Sequence, residues 1–122
     1  MNQSGLAFVE IRSYSLKPGQ REAFHQQVVQ QAWPMLLRWG VDVLAFGPSP
    51  HDETSYYLIR AYDSLEHREA SQDAFYGSAE WREGPRESIV SRINNYTSVV
   101  LEMGAVALSA IRQPALQAKL AG

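Results

Sequence analysis

Two kinds of hydrophobic periodicity follow one another along the chain, and their order limits the possible folds. Side chains alternate with period two over residues 8–15, which is typical of a β-strand. Apolar residues then recur every three or four positions over residues 20–39, which predicts a long amphipathic helix. Gly40 suits the left-handed end of this helix, and Pro34 should kink its last turns.

The rest of the chain repeats this alternation of strand and helix. The remaining predicted elements are two strands, an interrupted helical region and a final strand, at residues 41–46, 55–62, 64–93 and 96–102. Ser64 can cap the second helical region, which breaks at Gly77 and resumes at Pro85. Ile89, Val90 and Ile93 are expected to face inward. The order strand, helix, strand, strand, helix, strand predicts an α+β, ferredoxin-like fold with a four-stranded antiparallel sheet.

Composition argues against several classes of function. The 122-residue chain should form one domain, and without cysteine it has no disulfide framework, thiolate metal site or cysteine nucleophile. A net charge of -2 argues against a nucleic-acid partner. No apolar run approaches the roughly 18 residues of a membrane span, and no secretory leader is recognisable, so a cytoplasmic location is expected. The Glu-x-x-His spacing of di-metal sites occurs once, at Glu22 and His25, so no metal or cofactor is expected.

The predicted topology places both helical layers on one face of the sheet and leaves the other face open. The residues expected to meet the helices are Val9, Ile11, Ile59 and Ala61. The open face would then combine aromatic, apolar and charged side chains: Phe8, Tyr14, Tyr56, Leu58, Tyr62, Val100, Glu10, Arg12 and Arg60. Because monomers rarely expose so large a patch, we predict a homodimer in which a second copy covers it. In the alternative interpretation the charged members make this an ordinary solvated face.

Five short stretches resemble NIPSNAP-family domains in sequence and in order. They are Val-Glu-Ile-Arg-Ser-Tyr at 9–14, Leu-Lys-Pro-Gly at 16–19, Trp-Gly at 39–40, Tyr-Asp-Ser-Leu-Glu-His-Arg at 62–68 and Ala-Glu-Trp at 79–81. The resemblance covers about residues 8–102, and we assign a NIPSNAP-like domain to residues 1–103. It implies the dimeric α/β-barrel superfamily, and therefore the same fold and a homodimer. The Ala-rich tail, residues 104–122, is expected to form weak helical turns broken at Pro114, and either to pack on a partner or to be disordered.

Relatives in the superfamily that the resemblance implies carry out different reactions, so fold analogy does not choose among them. Some are cofactor-independent monooxygenases, some are isomerases and others bind haem, for which this sequence offers no clear proximal histidine. We therefore keep two main hypotheses, beside a third in which the chain is a purely structural subunit, which rests only on the predicted dimer surface. In the first, the chain is a homodimer that binds an apolar or aromatic small molecule or a protein partner. In the second, it is a cofactor-independent monooxygenase or isomerase acting on an aromatic or enolic substrate. Whether the protein is an enzyme stays open.

Three side chains are candidates for catalysis. Arg12 and Tyr14 could stabilise charge on an enolate or carboxylate oxygen of a substrate. His67 could transfer a proton near neutral pH. In the structural alternatives, Glu10 pairs with an arginine on a neighbouring strand and His67 is polar surface.

Five further residues are candidates for binding the substrate. Arg60 and Tyr62 could extend the polar cluster across the first and third strands. Trp39, Phe75 and Trp81 could form the wall of an aromatic pocket between the helices and the sheet. Large side chains at helical spacing are also typical of an ordinary core, which is the alternative interpretation.

Overall fold

The computed structural model describes residues 5–114, and its sheet contains the four predicted strands. These are β1 (Ala7–Leu16), β2 (Asp42–Pro48), β3 (Ser55–Tyr62) and β4 (Ile93–Met103). Neighbouring strands are antiparallel, and their order across the sheet is β2-β3-β1-β4. Helices connect β1 to β2 and β3 to β4, so the predicted ferredoxin-like α+β fold is confirmed. The expectations for a leader and for the end of the tail concern residues 1–4 and 115–122, which lie outside the described residues.

A helical segment with one wide turn connects β1 to β2. Helix α1 (Arg21–Gln27) continues through a π-helical stretch (Val28–Ala32) into α2 (Trp33–Arg38). Pro34 has no backbone N–H, and its ring would clash with a carbonyl in the preceding α-helical turn. The wider π turn just before the proline avoids this clash. The irregularity predicted at Pro34 therefore takes the form of a π-helical stretch. Gly40 then ends the segment with a φ of 75°.

Three shorter helices connect β3 to β4. They are α3 (Leu65–Gly77), α4 (Ala79–Glu83) and α5 (Arg86–Val90). The side chain of Ser64 accepts a hydrogen bond from the N–H of His67 at 2.9 Å, so the predicted cap is confirmed. Ile89 is buried as expected, whereas Val90 is 41% exposed. Successive helical residues point about 100° apart, so the two cannot share one inward direction. None of the helices within the described range is long and apolar enough to cross a bilayer.

The predicted orientation of the sheet is wrong, because its two faces are exchanged. The face that meets α1–α5 carries Phe8, Glu10, Arg12, Tyr14, Tyr56, Leu58, Arg60, Tyr62 and Val100. The opposite face carries Val9, Ile11, Ile59 and Ala61. Charged residues on a strand usually indicate a solvated face. Here Glu10 and its arginine partners compensate one another inside the protein, so they can share a buried face with the aromatic residues.

The first part of the Ala-rich tail packs on the sheet of its own chain. Helix α6 (Ala105–Ile111) places Leu108 and Ile111 on a small core that includes Val9 and Leu44. The backbone N–H of Gln113 donates to the carbonyl of Leu44 at 3.0 Å. The expected helical turns are therefore confirmed for this stretch. This stretch is helical and packs on its own chain rather than being disordered, and its packing on a partner stays a prediction.

Candidate functional site

A cluster of charged side chains lies buried between β1, β3 and α3. The side chain of Glu10 is 0% exposed, and its two carboxylate oxygens accept hydrogen bonds from three arginines and a glutamine. Arg60 donates to Oε1 from Nε at 3.1 Å and from Nη2 at 2.5 Å, and Gln72 donates to the same oxygen at 2.9 Å. Arg68 donates to Oε2 from Nε at 3.2 Å and from Nη2 at 2.6 Å. The structural alternative for Glu10, a pair with an arginine across the strands, is confirmed.

Strand register and helix periodicity together build this cluster. Glu10 and Arg60 are directly paired across β1 and β3, so their side chains leave the sheet side by side. Arg68, Gln72 and Tyr76 are spaced by four residues on α3, which places them on one face of the helix, above that pair. Tyr76 extends the network, because its hydroxyl oxygen accepts a hydrogen bond from Nη1 of Arg60 at 2.8 Å. The cluster therefore joins the sheet to α3.

The cluster carries more positive than negative charge. Arg12 also contacts Glu10, with Nη2 of Arg12 at 3.3 Å from Oε2. Three guanidinium groups therefore surround one carboxylate, and among the described residues no other carboxylate oxygen lies within 4.0 Å of them. Burial raises the pKa of Glu10. The charges of Arg60 and Arg12 and the hydrogen bonds from Arg68 and Arg60 lower it by more than burial raises it, so the pKa is about 2. Glu10 is thus ionised at neutral pH.

The lowered pKa of Glu10 makes the stability of the fold depend on pH. An ordinary glutamate has a pKa of 4.5, so the unfolded chain takes up this proton more readily than the folded one. The stabilisation is complete above about pH 5 and is lost as pH falls toward 2, with a total of about 3 kcal/mol. Urea unfolding measured at several pH values should show this loss. A Glu10→Gln variant should show a loss smaller by that amount, and parallel profiles for the two proteins would contradict the assignment.

An open cleft of about 680 Å³ lies beside the cluster, between α3–α5 and the strands β1 and β4. Arg12, Tyr14 and Tyr76 lie at its inner end, where each is half-buried or buried. Its other lining residues include the apolar or aromatic Trp81, Ile89, Val90, Ile93 and Tyr96. The guanidinium carbon of Arg12 lies 4.7 Å from the centre of the Tyr96 ring, so this cation is stacked on an aromatic wall. The cleft thus combines apolar walls with one inner cationic group.

A second, smaller cavity lies in the apolar core next to the cleft. It has a volume of about 40 Å³ and shares Tyr14, Tyr76, Trp81 and Ile89 with the cleft. Burial, together with the nearby Tyr76, raises the pKa of Tyr14 to about 12. Tyr14 is therefore neutral at physiological pH and can donate a hydrogen bond, whereas it cannot act as an ionised base there.

The structure brings together some of the predicted site residues. Arg12, Tyr14 and Trp81 line the cleft. Arg60 belongs to the charge cluster behind it and is 1% exposed, so it does not line the cleft but donates a hydrogen bond to Tyr76, which does. Tyr62 lies in the same buried layer, where its hydroxyl accepts a hydrogen bond from Gln72 at 3.2 Å.

Three other predicted site residues lie elsewhere. Phe75 is buried in the core, and the nearby Trp39 is 40% exposed. Nε1 of Trp39 donates to Glu80 at 2.8 Å. His67 lines a different groove, of about 420 Å³, at the N-terminal end of α3. Its Nδ1 accepts a hydrogen bond from the N–H of Asp63 at 3.0 Å, so the ring closes the turn before the helix.

The sequence analysis missed Arg68, Gln72 and Tyr96 as members of the site. The first two could have been found, because with Tyr76 they form a polar stripe with four-residue spacing on a helix that has few apolar residues. Tyr96 depends on strand pairing, since it lies opposite Tyr14 across β1 and β4. That register is set by tertiary structure and is not readable from either strand alone.

Comparison with known proteins connects this architecture to a family. The NIPSNAP family model matches residues 9–102, whereas no curated protein matches the chain. A NIPSNAP family protein of unknown function from Agrobacterium tumefaciens has a TM-score of 0.76 at 18% identity, covering 84% of this chain and 93% of that one. An uncharacterized NIPSNAP domain protein from Burkholderia xenovorans has a TM-score of 0.71 at 20% identity, covering 80% and 95%.

A third structure extends the likeness in fold beyond the family. A candidate antibiotic biosynthesis monooxygenase from Bordetella bronchiseptica has a TM-score of 0.60 at 22% identity, covering 80% of this chain and 94% of that one. At this level of identity the likeness concerns the fold alone. The family model, in contrast, spans β1 to β4 and so includes every strand and helix that builds the charge cluster and the cleft. The chain belongs to the NIPSNAP family.

Proposed function

We propose that this protein binds a small aromatic or apolar molecule in the cleft between α3–α5 and the strands β1 and β4. The observation that carries the proposal is the composition of the cleft, in which aromatic and aliphatic walls converge on Arg12 and Tyr76. Ligand sites in proteins typically have this character, with apolar walls and a few convergent polar groups. A volume of about 680 Å³ also falls in the range of small-molecule sites.

Placing a bulky side chain in the cleft should weaken binding. Val90 lines the cleft and is 41% exposed, so Val90→Trp would place an indole in it without disturbing the core. Two aromatic probes of the same shape, naphthoate and naphthamide, can be titrated by calorimetry. We expect at least one probe to bind the wild-type chain and its affinity to fall at least about tenfold in Val90→Trp.

The matched control for this experiment is Val106→Trp. Val106 is 85% exposed on α6 and is not among the residues that line the cleft, so this variant should bind the probe like the wild-type chain. If neither probe binds at millimolar concentration, the proposal is wrong. Equal affinities for the wild-type and Val90→Trp proteins would also overturn it, because binding would then occur elsewhere.

We also propose that the chain is a homodimer, formed through the sheet face that α1–α5 leave uncovered. On the β1 and β4 side this face carries Ile11, Val99 and Leu101, and the last two are 57% and 44% exposed. Helix α6 covers the β2 and β3 side, where Leu44 and Ala61 are buried. An apolar strip of this kind on an outer strand is costly to leave in water, and packing against a second copy would bury it. The superfamily resemblance supports the same assembly.

The enzymatic alternative rests on the polar groups at the inner end of the cleft. Arg12 carries a positive charge, and neutral Tyr14 can donate a hydrogen bond, so the pair could stabilise a substrate enolate or phenolate oxygen. His67 as a proton-transfer group stays a prediction, and its groove is separate from this cleft. We favour binding over catalysis, because the cleft is open to solvent and shielding of a reactive intermediate would require closure. Oxygen uptake on addition of a phenol or of an enolisable ketone would favour a monooxygenase instead.

A further inference from the structure

The three arginines of the charge cluster share Glu10 unequally. Arg60 and Arg68 hold the carboxylate tightly, with shortest contacts of 2.5 Å and 2.6 Å and two nitrogens each. All four hydrogen bonds of Arg12 are longer, between 3.3 Å and 3.5 Å, and they go to Ser98, Tyr76, Glu10 and Gln72. Charge-assisted hydrogen bonds normally have lengths of about 2.7–2.9 Å. The guanidinium of Arg12 therefore makes the longest, and so the weakest, hydrogen bonds of the three.

Of the three arginines, Arg12 alone lines the cleft, next to Gln72 and Tyr76, whereas Arg60 and Arg68 do not line it. At the rim of the cleft Asp73 and Arg86 are both exposed, and their opposite charges offset each other. Because Arg60 and Arg68 already satisfy Glu10, the surplus positive charge at the inner end of the cleft is that of Arg12. A cation that is held in place by weak hydrogen bonds and faces a cleft with largely apolar walls favours an anionic ligand.

Tyr76 provides a second donor beside Arg12. Its hydroxyl oxygen accepts hydrogen bonds from Nη1 of Arg60 at 2.8 Å and from Nη1 of Arg12 at 3.5 Å. A tyrosine hydroxyl that accepts in this way keeps its own proton for donation. Tyr76 also lines the cleft. An anionic oxygen placed there could thus receive one charged and one neutral hydrogen bond.

We infer that the ligand of this cleft is an organic acid, with an aromatic or apolar body and one carboxylate whose oxygen is bound by Arg12 and Tyr76. This inference rests on the proposed function, since it requires that the cleft binds a ligand at all. It adds the chemical class of that ligand and the residues that recognise its charge. Glu10 then acts as a positioning residue for Arg12 and Arg60 as one for Tyr76, each through a direct hydrogen bond, while Arg68 helps to hold Glu10.

The two probes of equal shape test the inference directly. Naphthoate carries a carboxylate, and naphthamide replaces it with a neutral amide of nearly the same size. We expect the wild-type chain to bind naphthoate at least about tenfold more tightly than naphthamide at low salt, because the charge-assisted hydrogen bond is lost with the amide. Added salt should weaken the binding of naphthoate and leave that of naphthamide nearly unchanged.

Variants then show which residue causes the preference for naphthoate over naphthamide. Arg12→Gln should bring the ratio of the two affinities close to one, and Arg12→Lys should retain most of it because the charge remains. Lys17→Gln is the control, since it removes one positive charge from the exposed turn after β1 and should leave the ratio unchanged. Arg86→Gln tests the competing cation at the rim. If that variant loses the preference and Arg12→Gln retains it, the assignment to Arg12 is wrong.

The outcomes separate this inference from the function on which it rests. If naphthoate and naphthamide bind the wild-type chain equally well, the ligand class is wrong and the proposed cleft stands. If neither binds, the proposed function fails and the inference fails with it. The wild-type ratio and the Arg12→Lys variant decide the matter even if Arg12→Gln does not fold.

Discussion

Replacing Glu10 with glutamine is expected to lower the free energy of unfolding by about 3–5 kcal/mol. The side chain is fully buried and is the carboxylate that the guanidinium groups of Arg60 and Arg68 share. Glutamine has nearly the same shape, so the substitution opens no cavity, but it removes the charge and replaces one accepting oxygen with an NH2 group that cannot accept a hydrogen bond from the arginines. It leaves buried positive charges without their counterion, which costs far more than the loss of a surface ion pair.

Urea denaturation at pH 7 and at one fixed protein concentration measures this effect, because assembly would make stability depend on concentration. Glu69→Gln is the control. Glu69 lies on α3 next to Arg68 but is exposed, so the same change of chemistry should alter stability by no more than about 0.5 kcal/mol. If Glu10→Gln costs less than about 1 kcal/mol, the arginines are satisfied in some other way and the cluster does not hold α3 to the sheet.

The second large effect is expected at the proposed dimer interface. Val99→Glu places a carboxylate in the middle of β4, opposite Ile11 on the uncovered face of the sheet. In a two-fold dimer the change occurs in both copies and would bury two like charges in one apolar interface. We expect the dissociation constant of the dimer to rise at least about 100-fold, which corresponds to about 3 kcal/mol.

Leu65→Glu is the matched control for Val99→Glu. Leu65 is 53% exposed and Val99 is 57% exposed, but Leu65 lies at the start of α3, in the helical layer. Sedimentation equilibrium should therefore find Leu65→Glu dimeric like the wild-type protein, and Val99→Glu monomeric at the same concentration. A wild-type chain that sediments as a monomer at micromolar concentration would contradict the dimer. Dissociation by both substitutions would place the interface elsewhere.

The order of elements could be predicted from the sequence because it depends on local signals. Strand alternation, the Ser64 cap and the glycine at position 40 each act within a few residues, and each is confirmed. Element bounds differ by a few residues: β4 begins at Ile93, earlier than the alternation over 96–102 indicates. Strand ends depend on pairing with a neighbour, which a single strand does not reveal.

The orientation of the sheet could not be predicted by the same means. Alternation divides β1 into two sets of residues, but it does not say which set faces the helices when one set is aromatic and charged and the other is aliphatic. The charged set is buried here because Glu10 is paired with Arg60 and because α3 brings Arg68 and Gln72 onto it. The sequence contained one clue to the orientation. Leu16 is six positions after Glu10, so alternation places this apolar side chain on the same face as the charged set. In the structure Leu16 is 1% exposed, which agrees with burial of that face.

The candidate site was predicted only in part, because strand positions can be read from the sequence but contacts between distant segments cannot. Arg12 and Arg60 do form a polar cluster across β1 and β3, as expected from their positions on predicted strands. His67 does not join it, because its hydrogen bond with Asp63 holds the ring at the turn before α3. Trp39 and Phe75 pack against each other rather than around the cleft, with ring centres 6.1 Å apart.

The central claim is that the cleft beside Arg12 is where this protein binds its ligand. Mapping the changes in backbone amide chemical shifts on addition of naphthoate tests it most directly, because it locates the ligand without any substitution. The account predicts that the largest changes cluster around Tyr76, Trp81, Ile89 and Tyr96, which surround the cleft. Changes centred instead on His67 and Ser71, in the groove at the start of α3, would contradict it.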